Sequence, residues 1–415
     1  MGRRVAYWRV RRRMSQQVFA DRLGKSKSWV DKVERGVRAL DKVSTLADIA
    51  AVLRIDQAVL LGRDVRPVEV CARVTGVERI RVALSTYDVA VGRRGRDVPL
   101  VAEVARVVQH AWTTFQHARY PQVIGGLPEM VLAAQRSFDR ESGAGRVPLV
   151  EAYRVSAALL VKLGAGELAW LAADRAMSVA TGDAVLVAAA AVQLGQVLRA
   201  TGRSGCALPM LRAAAYRIAR LGLDGGPAER QSLCGALLVQ AALAAASHGD
   251  ARTAADLLNE AGELASRVGD GHDHYRTGFG PAAVADARTL AAVEVGDAAV
   301  ALAWHQRTIG EPGWGWLPAE HRAAHLIDTA RAHLQADDPV NAARRLLGAE
   351  RIAPGEVRHR RPPTTCSPRS HAVRTPRPRS PNSPLPAGYR EHDRAAAVPG
   401  PDPQPARADR PPDPA

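Results

Sequence analysis

The chain has 415 residues and a formal net charge of +15 at pH 7; 47% of its residues are hydrophobic and only 4% are aromatic. This length allows two or three domains, and the dominance of Ala and Leu favours helices over sheets. It contains no uncharged apolar stretch of about 18 residues and no secretory signal, so we expect neither a membrane span nor secretion. The four cysteines are scattered without a CxxC pair, so we expect free thiols in the cytoplasm.

The positive charge is concentrated at the two ends of the chain. Residues 1–70 contain 16 Lys and Arg against 8 Asp and Glu, and residues 357–415 contain 11 against 5. Residues 71–356 are almost neutral, with 30 against 29. A basic N-terminal segment attached to a neutral body predicts a polyanion as the partner of that segment.

Residues 14–36 have the spacing of two short helices joined by a tight turn. Ser15 and Ser26 are candidate N-caps for these helices. The positions expected to form the turn and the shared core are Phe19, Ala20, Leu23, Gly24, Val30 and Val33. Glycine suits a tight turn and alanine lets two backbones approach, so the spacing predicts a helix-turn-helix unit.

With its flanking residues, this unit resembles the lambda-repressor/Cro-like (XRE-type) DNA-binding domain. The resemblance is carried by SQQVFADRLGKSKSWVDKVERG and continues through VSTLADIAAVLRIDQAVLLG, the fourth and fifth helices. It covers about residues 3–62, and it departs from the family at Val18, where a Glu often completes a capping box. The resemblance implies a five-helix domain that binds double-stranded DNA.

The second helix of the unit is the expected recognition helix, because an α-helix fits the major groove and its N-terminal side chains reach base edges. The candidates for base readout on its outward face are Lys27, Ser28, Asp31 and Lys32. In the resembled family, the positions of the two lysines and the serine commonly read bases, and that of Gln16 contacts a phosphate. The further candidates for DNA backbone contacts are Arg11, Arg12, Arg13, Arg38 and Lys42.

Several of these residues have a second interpretation. The arginines at 11–13 can form a solvated helix end, and Asp31 can pair with Lys27 one turn away. Trp29 is expected to pack against the first helix of the unit rather than meet DNA. Glu34 is expected to brace the fold with an arginine of the N-terminal helix.

After the DNA-binding domain, residues 1–62, comes a connector, residues 63–98, in which VERIRVALSTYDVA is expected to be one helix. Residues 99–356 then repeat a short polar turn, an Ala and an apolar helix; the aligned alanines are Ala169, Ala207, Ala254, Ala301 and Ala342. Their spacings of 38, 47, 47 and 41 residues suit helix pairs that stack to bury their apolar faces. The units resemble tetratricopeptide (TPR) repeats but lack most of the consensus positions. An irregular all-α bundle is the alternative.

The chain changes character at residue 357. Residues 357–415 contain 15 of the 27 prolines, a single Leu and no Ile, Phe or Trp. They cannot bury enough apolar surface to fold, so we expect a disordered, basic, Pro/Arg-rich tail that can touch nucleic acid. A slip of the reading frame in a GC-rich gene explains the abrupt change more simply.

No cluster of residues indicates catalysis. His321 and His325 share a helix face, but Arg322 occupies the position of the catalytic Glu of HExxH. His272 and His274 lie in a polar loop without a third metal ligand. We therefore expect no enzyme activity, no metal and no cofactor.

Three tryptophans stand out in a chain poor in aromatic residues. Trp304, Trp314 and Trp316 lie in and around the segment EPGWGW, between the last two repeats. They are candidates for an effector groove. Core packing at the end of the stack is the alternative, and we favour it.

The predicted fold class is therefore all-α: a five-helix Cro-like domain, a TPR-like repeat domain and a disordered tail. This order of parts resembles the peptide-sensing regulators of Gram-positive bacteria and a large class of actinobacterial regulators. It implies a cytoplasmic, homodimeric transcriptional regulator that binds double-stranded DNA and a peptide, small-molecule or protein effector. The alternative is a TPR-like interaction adaptor, or an antitoxin-like partner protein, with little sequence-specific DNA binding.

Overall fold

The computed structural model describes residues 1–38, 40, 43–55, 57, 60, 68–86, 98–220 and 226–359. Over these residues the chain forms 18 α-helices and two short 3-10 helices, without a strand, which confirms the predicted all-α class. Lys42, most of the predicted fifth helix and the tail beyond residue 359 lie outside the described residues. In the described part, every helix is too short or too polar to cross a bilayer.

The N-terminal helices are α1 (Gly2–Arg11), α2 (Gln16–Leu23), α3 (Lys27–Glu34) and α4 (Val43–Leu53). Both expected N-caps form. Ser15 Oγ accepts a hydrogen bond from the N–H of Val18 at 3.2 Å, and Ser26 Oγ accepts one from the N–H of Trp29 at 3.1 Å. Gly24 ends α2 in the left-handed conformation with φ of 62°, which turns the chain into α3 without a steric penalty.

The rest of the described chain is one single helix followed by antiparallel hairpins. The single helix is α5 (Val68–Leu84). The hairpins are α6 (Val101–Gln116) with α7 (Tyr120–Arg140), α8 (Ser142–Lys162) with α9 (Gly166–Ala180), α10 (Ala184–Ala200) with α11 (Ser204–Ala219), α12 (Ala228–Ser247) with α13 (Ala251–Val268), α14 (Pro281–Val295) with α15 (Ala298–Gly310), and α16 (Ala319–Gln335) with α17 (Pro339–Ile352). The 3-10 helices His274–Arg276 and Pro312–Trp316 precede α14 and α16, and α18 (Pro354–His359) ends the described chain.

The five alanines aligned from the sequence occupy one structural position. Each is the fourth residue of the second helix of its hairpin, and all five are buried. Five residues before each alanine, the turn contains a residue of positive φ; these residues are Gly164, Gly202, Gly249, Gly296 and Asp337. Glycine adopts this conformation freely and Asp is among the few residues that tolerate it, so the sequence repeat encodes a recurring turn followed by a close helix contact.

The hairpin of α6 and α7 has the same geometry, although the sequence alignment does not include it. Ala118 has a φ of 54°, and Val123, five residues later, is buried as the fourth residue of α7. The repeat is hidden in the sequence because Ala replaces the turn glycine and Val replaces the buried alanine.

The helix in the predicted connector is placed differently from the expectation. The segment VERIRVALSTYDVA covers residues 77–90, whereas α5 begins directly after a proline and ends at Leu84. Proline fits the start of a helix but not its interior, which accounts for the earlier beginning. Gly76 lets α5 approach α7, because a Cβ at that position would lie 2.2 Å from Ile124 Cγ2. Ile80 and Leu84 enter the same buried core as α6 and α7.

The first helices of the six hairpins, α6, α8, α10, α12, α14 and α16, pack side by side in chain order, and we call them the inner helices. The last of them, α16, also contacts the first, α6. Lys162 Nζ on α8 donates to Glu320 on α16 and to Glu356 on α18, both at 2.7 Å. Glu356 also accepts a hydrogen bond from the hydroxyl of Tyr120. The C-terminal hairpin is thus joined to the first two hairpins.

Candidate functional site

The position of α3 is set by a small core that it shares with α1, α2 and α4. Of the residues expected in this core, Phe19, Ala20, Val30 and Val33 are buried and Leu23 is half-buried against them. Because these side chains occupy one face of α3, the other face is left to solvent.

The solvent face of α3 carries the residues expected to read bases. The side chains of Lys27, Ser28 and Lys32 are exposed. The Asp31 side chain is 41% exposed, and its carboxylate pairs with Arg35 at 2.6 Å rather than with Lys27. Lys27 begins the helix, so its charge and the positive end of the helix dipole coincide where an anionic partner would approach.

Glu34, the last residue of α3, joins three elements. Arg9 on α1 donates to it from Nε at 2.6 Å and from Nη2 at 3.0 Å. The expected brace with an arginine of the N-terminal helix is therefore confirmed. Gln16 Nε2 donates to the same carboxylate at 2.9 Å, which orients the Gln16 amide. Its second amide hydrogen remains a donor suited to a phosphate.

Two of the arginines expected to contact phosphate have partners inside the domain. Arg12 donates from Nε and Nη2 to the carbonyls of Leu53 and Arg54, both at 3.1 Å. It thereby satisfies carbonyls at the end of α4, a structural role that its position in a basic run does not indicate. Arg11 donates to the Tyr7 hydroxyl at 2.8 Å.

The other candidates for backbone contact are more accessible. Arg13 is exposed, with a φ of 53° in the turn between α1 and α2. Arg38 is exposed, and its guanidinium carbon lies 6.0 Å from the ring centroid of Trp29. Trp29 is half-buried against the domain core, as the packing interpretation expects.

The three tryptophans of the candidate effector groove have three different environments. Trp304 lies between two guanidinium groups, with Arg288 at 4.9 Å and Arg307 at 4.2 Å from its ring centroid. Trp314 packs edge-on against a histidine of α16, and Trp316 is 72% exposed. None of these three residues contributes to the cavity wall of the repeat array.

The inner helices surround a cavity of about 540 Å³, a size typical of small-molecule sites. The charged residues that α14 and α16 contribute to its wall are Asp286, Glu294, Glu320, Asp328 and Arg331. The polar residues from α10 and α12 include Gln193, Gln196, Arg199 and Gln240. Trp112 on α6 also lines it. The lining residues come from seven helices and the loops between them, and they share no sequence motif.

A chain of hydrogen bonds leads from the cavity wall into the protein. His325 Nδ1 donates to Asp286 Oδ1 at 2.7 Å, and His325 Nε2 lies 2.8 Å from Nδ1 of the buried His305. Burial lowers the pKa of His305 to about 3, so this imidazole is neutral, and one hydrogen lies between its Nδ1 and His325 Nε2. The two histidines noted in the sequence, His321 and His325, therefore have different partners, since His321 contacts Glu320.

The loop between α13 and α14 lines part of the same cavity and is held by a hydrogen bond from a buried arginine. Arg154 on α8 is fully buried; it donates to Gln193 Oε1 and to the carbonyl of Tyr275, both at 2.7 Å, and pairs with Glu151. The next loop residue, Arg276, lines the cavity. Sequence reasoning missed Arg154, although an arginine within a largely apolar helix is a signal of a buried polar contact.

Residues 1–61 match the family described as helix-turn-helix domain. No curated protein matches the chain. Among solved structures, the chain is similar to Bacillus thuringiensis PlcR, crystallised in complex with the peptide PapR7 and DNA, at 12% sequence identity and a TM-score of 0.37. That similarity covers 82% of this chain and 98% of the PlcR chain. The family match and the α2–α3 geometry agree that the N-terminal residues form a helix-turn-helix domain, a DNA-binding module.

Proposed function

We propose that this protein is a cytoplasmic transcriptional regulator that binds DNA in a sequence-specific manner as a homodimer. The observation that carries the proposal is the solvent face of α3, where Lys27, Ser28 and Lys32 are exposed on a helix held by a buried core. This face has the size and charge of a recognition helix for the major groove.

In this proposal, base readout and backbone contact are divided between different residues. Lys27 and Lys32 donate to guanine O6 or N7, and Ser28 pairs with any of several bases. Gln16, Arg13 and the nearby basic residues contact phosphates and set the register of the domain on the duplex. Asp31 belongs to the same face, but its pairing with Arg35 makes it a weaker candidate for base contact.

We further propose that residues 1–62 act as the DNA-binding domain, residues 63–98 as the connector and residues 99–356 as the effector and dimerisation domain. A homodimer presents two α3 helices, so the operator would be a pseudo-palindrome with half-sites about one helical turn, or a multiple of it, apart. An effector in the cavity of the inner helices would then change the spacing or affinity of the two DNA-binding domains.

Selection of binding sites from random DNA with the purified full-length protein tests this proposal. We expect one enriched pseudo-palindromic motif, and sedimentation of the protein–DNA complex should show two copies of the chain on it. The affinity should fall steeply with salt, because phosphate contacts release counterions. Absence of any enriched sequence would favour the adaptor interpretation, in which the repeat array is the working part.

A further inference from the structure

Charged and polar side chains are distributed unequally over the wall of the cavity of the inner helices, and this distribution indicates the kind of molecule that the cavity binds. The part of the wall formed by α14 and α16 holds four carboxylates and a single guanidinium; one of the four, Glu320, is paired at 2.7 Å with Lys162, which also lines the cavity. That guanidinium is shared: Arg331 Nη1 lies 3.0 Å from Glu294 Oε1 and 3.3 Å from Asp328 Oδ1. One positive charge therefore faces two negative charges, and this part of the wall stays acidic.

Asp286 adds a further carboxylate to this wall. Its carboxylate accepts from His325 Nδ1, and His325 Nε2 lies 2.8 Å from His305 Nδ1. The Thr329 hydroxyl donates to the His325 carbonyl at 2.8 Å and lies 3.3 Å from His305 Nδ1, which fits a hydrogen on that nitrogen. The Asp286 side chain lines the cavity and is 27% exposed, so its carboxylate is accessible from there.

The part of the wall formed by α6, α10 and α12 supplies hydrogen-bond donors. Gln193 Oε1 is occupied by Arg154 at 2.7 Å, and Gln240 Oε1 accepts from Arg199 at 2.9 Å. The oxygen of each amide already accepts a hydrogen bond from an arginine. The groups through which these amides would bind a ligand are therefore mainly their N–H donors. The amides therefore favour an acceptor group on any molecule in the cavity.

Trp112 forms an apolar part of this wall. The residue is 2% exposed, it lines the cavity, and its indole Nε1 has no hydrogen-bond partner among the described residues. The Arg154 guanidinium lies 5.5 Å from the centroid of the ring and helps to fix it.

We infer that the cavity binds a small organic cation that carries its ammonium group towards Asp286, Glu294 and Asp328 and an oxygen acceptor towards the amides of Gln193 and Gln240. The volume of about 540 Å³ suits a molecule of drug-like size, and the aliphatic side chains of the wall suit an apolar part of that molecule. This inference rests on the proposed role of the repeat array as the effector domain and names the chemical class of the effector.

A pair of fluorescent probes tests the inference. Dansylcadaverine has a primary ammonium and sulfonamide oxygens, and dansyl-6-aminohexanoate is of similar length but ends in a carboxylate. We expect saturable binding of dansylcadaverine to the full-length protein at one site per chain, measured by dansyl fluorescence without DNA. The carboxylate probe should bind at least about tenfold more weakly, because the acidic wall repels it.

Two isosteric variants show where the amine binds. Asp286→Asn keeps an oxygen for His325 but removes the charge, and it should weaken dansylcadaverine binding by about tenfold. Asp256→Asn makes the same change at an exposed position on α13 and should leave the affinity unchanged. Melting curves of both variants confirm that each is folded.

Three outcomes would overturn the inference: no saturable binding of the amine up to about 1 mM, equal binding of both probes, or equal affinity of Asp286→Asn and the unaltered protein. Operator binding is measured separately on the same preparations. If the protein binds its operator but not the amine, only the inferred ligand class is wrong. If it binds the amine but no DNA sequence, the proposed function is wrong.

Discussion

Arg9 and Glu34 form a two-pronged ion pair, with Nε 2.6 Å from Oε1 and Nη2 3.0 Å from Oε2. The side chains are 13% and 7% exposed, so the pair lies largely inside the N-terminal domain. It connects α1 to the last residue of α3 and fixes the end of the helix whose beginning is proposed to enter DNA.

Glu34→Ala should lower the free energy of unfolding of the N-terminal domain by about 3 kcal/mol, because it leaves a buried guanidinium without its carboxylate. Asp31→Ala provides the matched control, since its pair with Arg35 is exposed and worth at most about 0.5 kcal/mol. Urea denaturation of both full-length variants measures the difference. A similar loss of unfolding free energy for the two variants would show that the Arg9–Glu34 pair stabilises the domain no more than the exposed Asp31–Arg35 pair does.

Lys27→Ala should cost about 1–3 kcal/mol on the best operator and relax the preference at one base pair, because a base-specific donor is lost. Arg13→Ala should weaken all sequences alike and lower the slope of affinity against salt by about one, as expected for a phosphate contact. Site selection and salt titrations with both variants distinguish the two roles. Uniform losses on every sequence for Lys27→Ala would remove this residue from base readout.

Gly249→Ala should destabilise the repeat array by about 1 kcal/mol, because its φ of 81° lies in the region that disfavours a Cβ. Gly125→Ala is the control within the same array. That glycine lies inside α7 with open space where a Cβ would project, so alanine should stabilise the helix by up to about 1 kcal/mol. Thermal unfolding of the full-length variants measures whether each change stabilises or destabilises the array. Destabilisation by both changes would contradict the assigned role of the turn.

The stability of the repeat array should fall as the pH drops from 7 to 5. Burial lowers the pKa of His305 from 6.5 to about 3, so below pH 6.5 the unfolded chain binds a proton that the folded chain does not. The expected loss is about 1.4 kcal/mol for each pH unit below 6.5. Asp250 and Asp338, whose N-cap hydrogen bonds lower their pKa, act only at lower pH and do not interfere in this range.

His305→Gln removes this titration and provides the comparison. The difference in unfolding free energy between the unaltered protein and the variant should shrink as the pH falls from 7 to 5. Parallel curves for the two proteins would mean that His305 is not the group responsible.

Features of the fold that depend on neighbouring residues could be predicted from the sequence. Ser15, Gly24 and Ser26 act within a few residues of themselves, so the caps and the turn of the helix-turn-helix unit follow from local rules. The spacing from Gly249 to Ala254 likewise identifies a hairpin turn without any knowledge of the packing.

Features that join distant segments could not be predicted in the same way. The sequence indicates that Glu34 pairs with an arginine but does not distinguish Arg9 from the neighbouring arginines. Arg12 bonds to the carbonyls of Leu53 and Arg54, which are 41 and 42 residues away in the sequence. The effector site shows the limit most clearly. A local cluster drew attention to Trp304 and its neighbours, whereas the cavity is lined by Trp112 and by residues from six further helices and the loops between them.

The contacts of Lys162 bear on how the chain is made. Its partner Glu356 and that residue's other contact, Tyr120, are separated from each other by 236 positions. In an open row of repeats each unit needs only its neighbours, so folding can follow synthesis from one end to the other. Here Lys162, in the second hairpin, can pair with Glu356 only after residue 356 has been synthesised. The array can therefore complete its fold only once translation has passed that point.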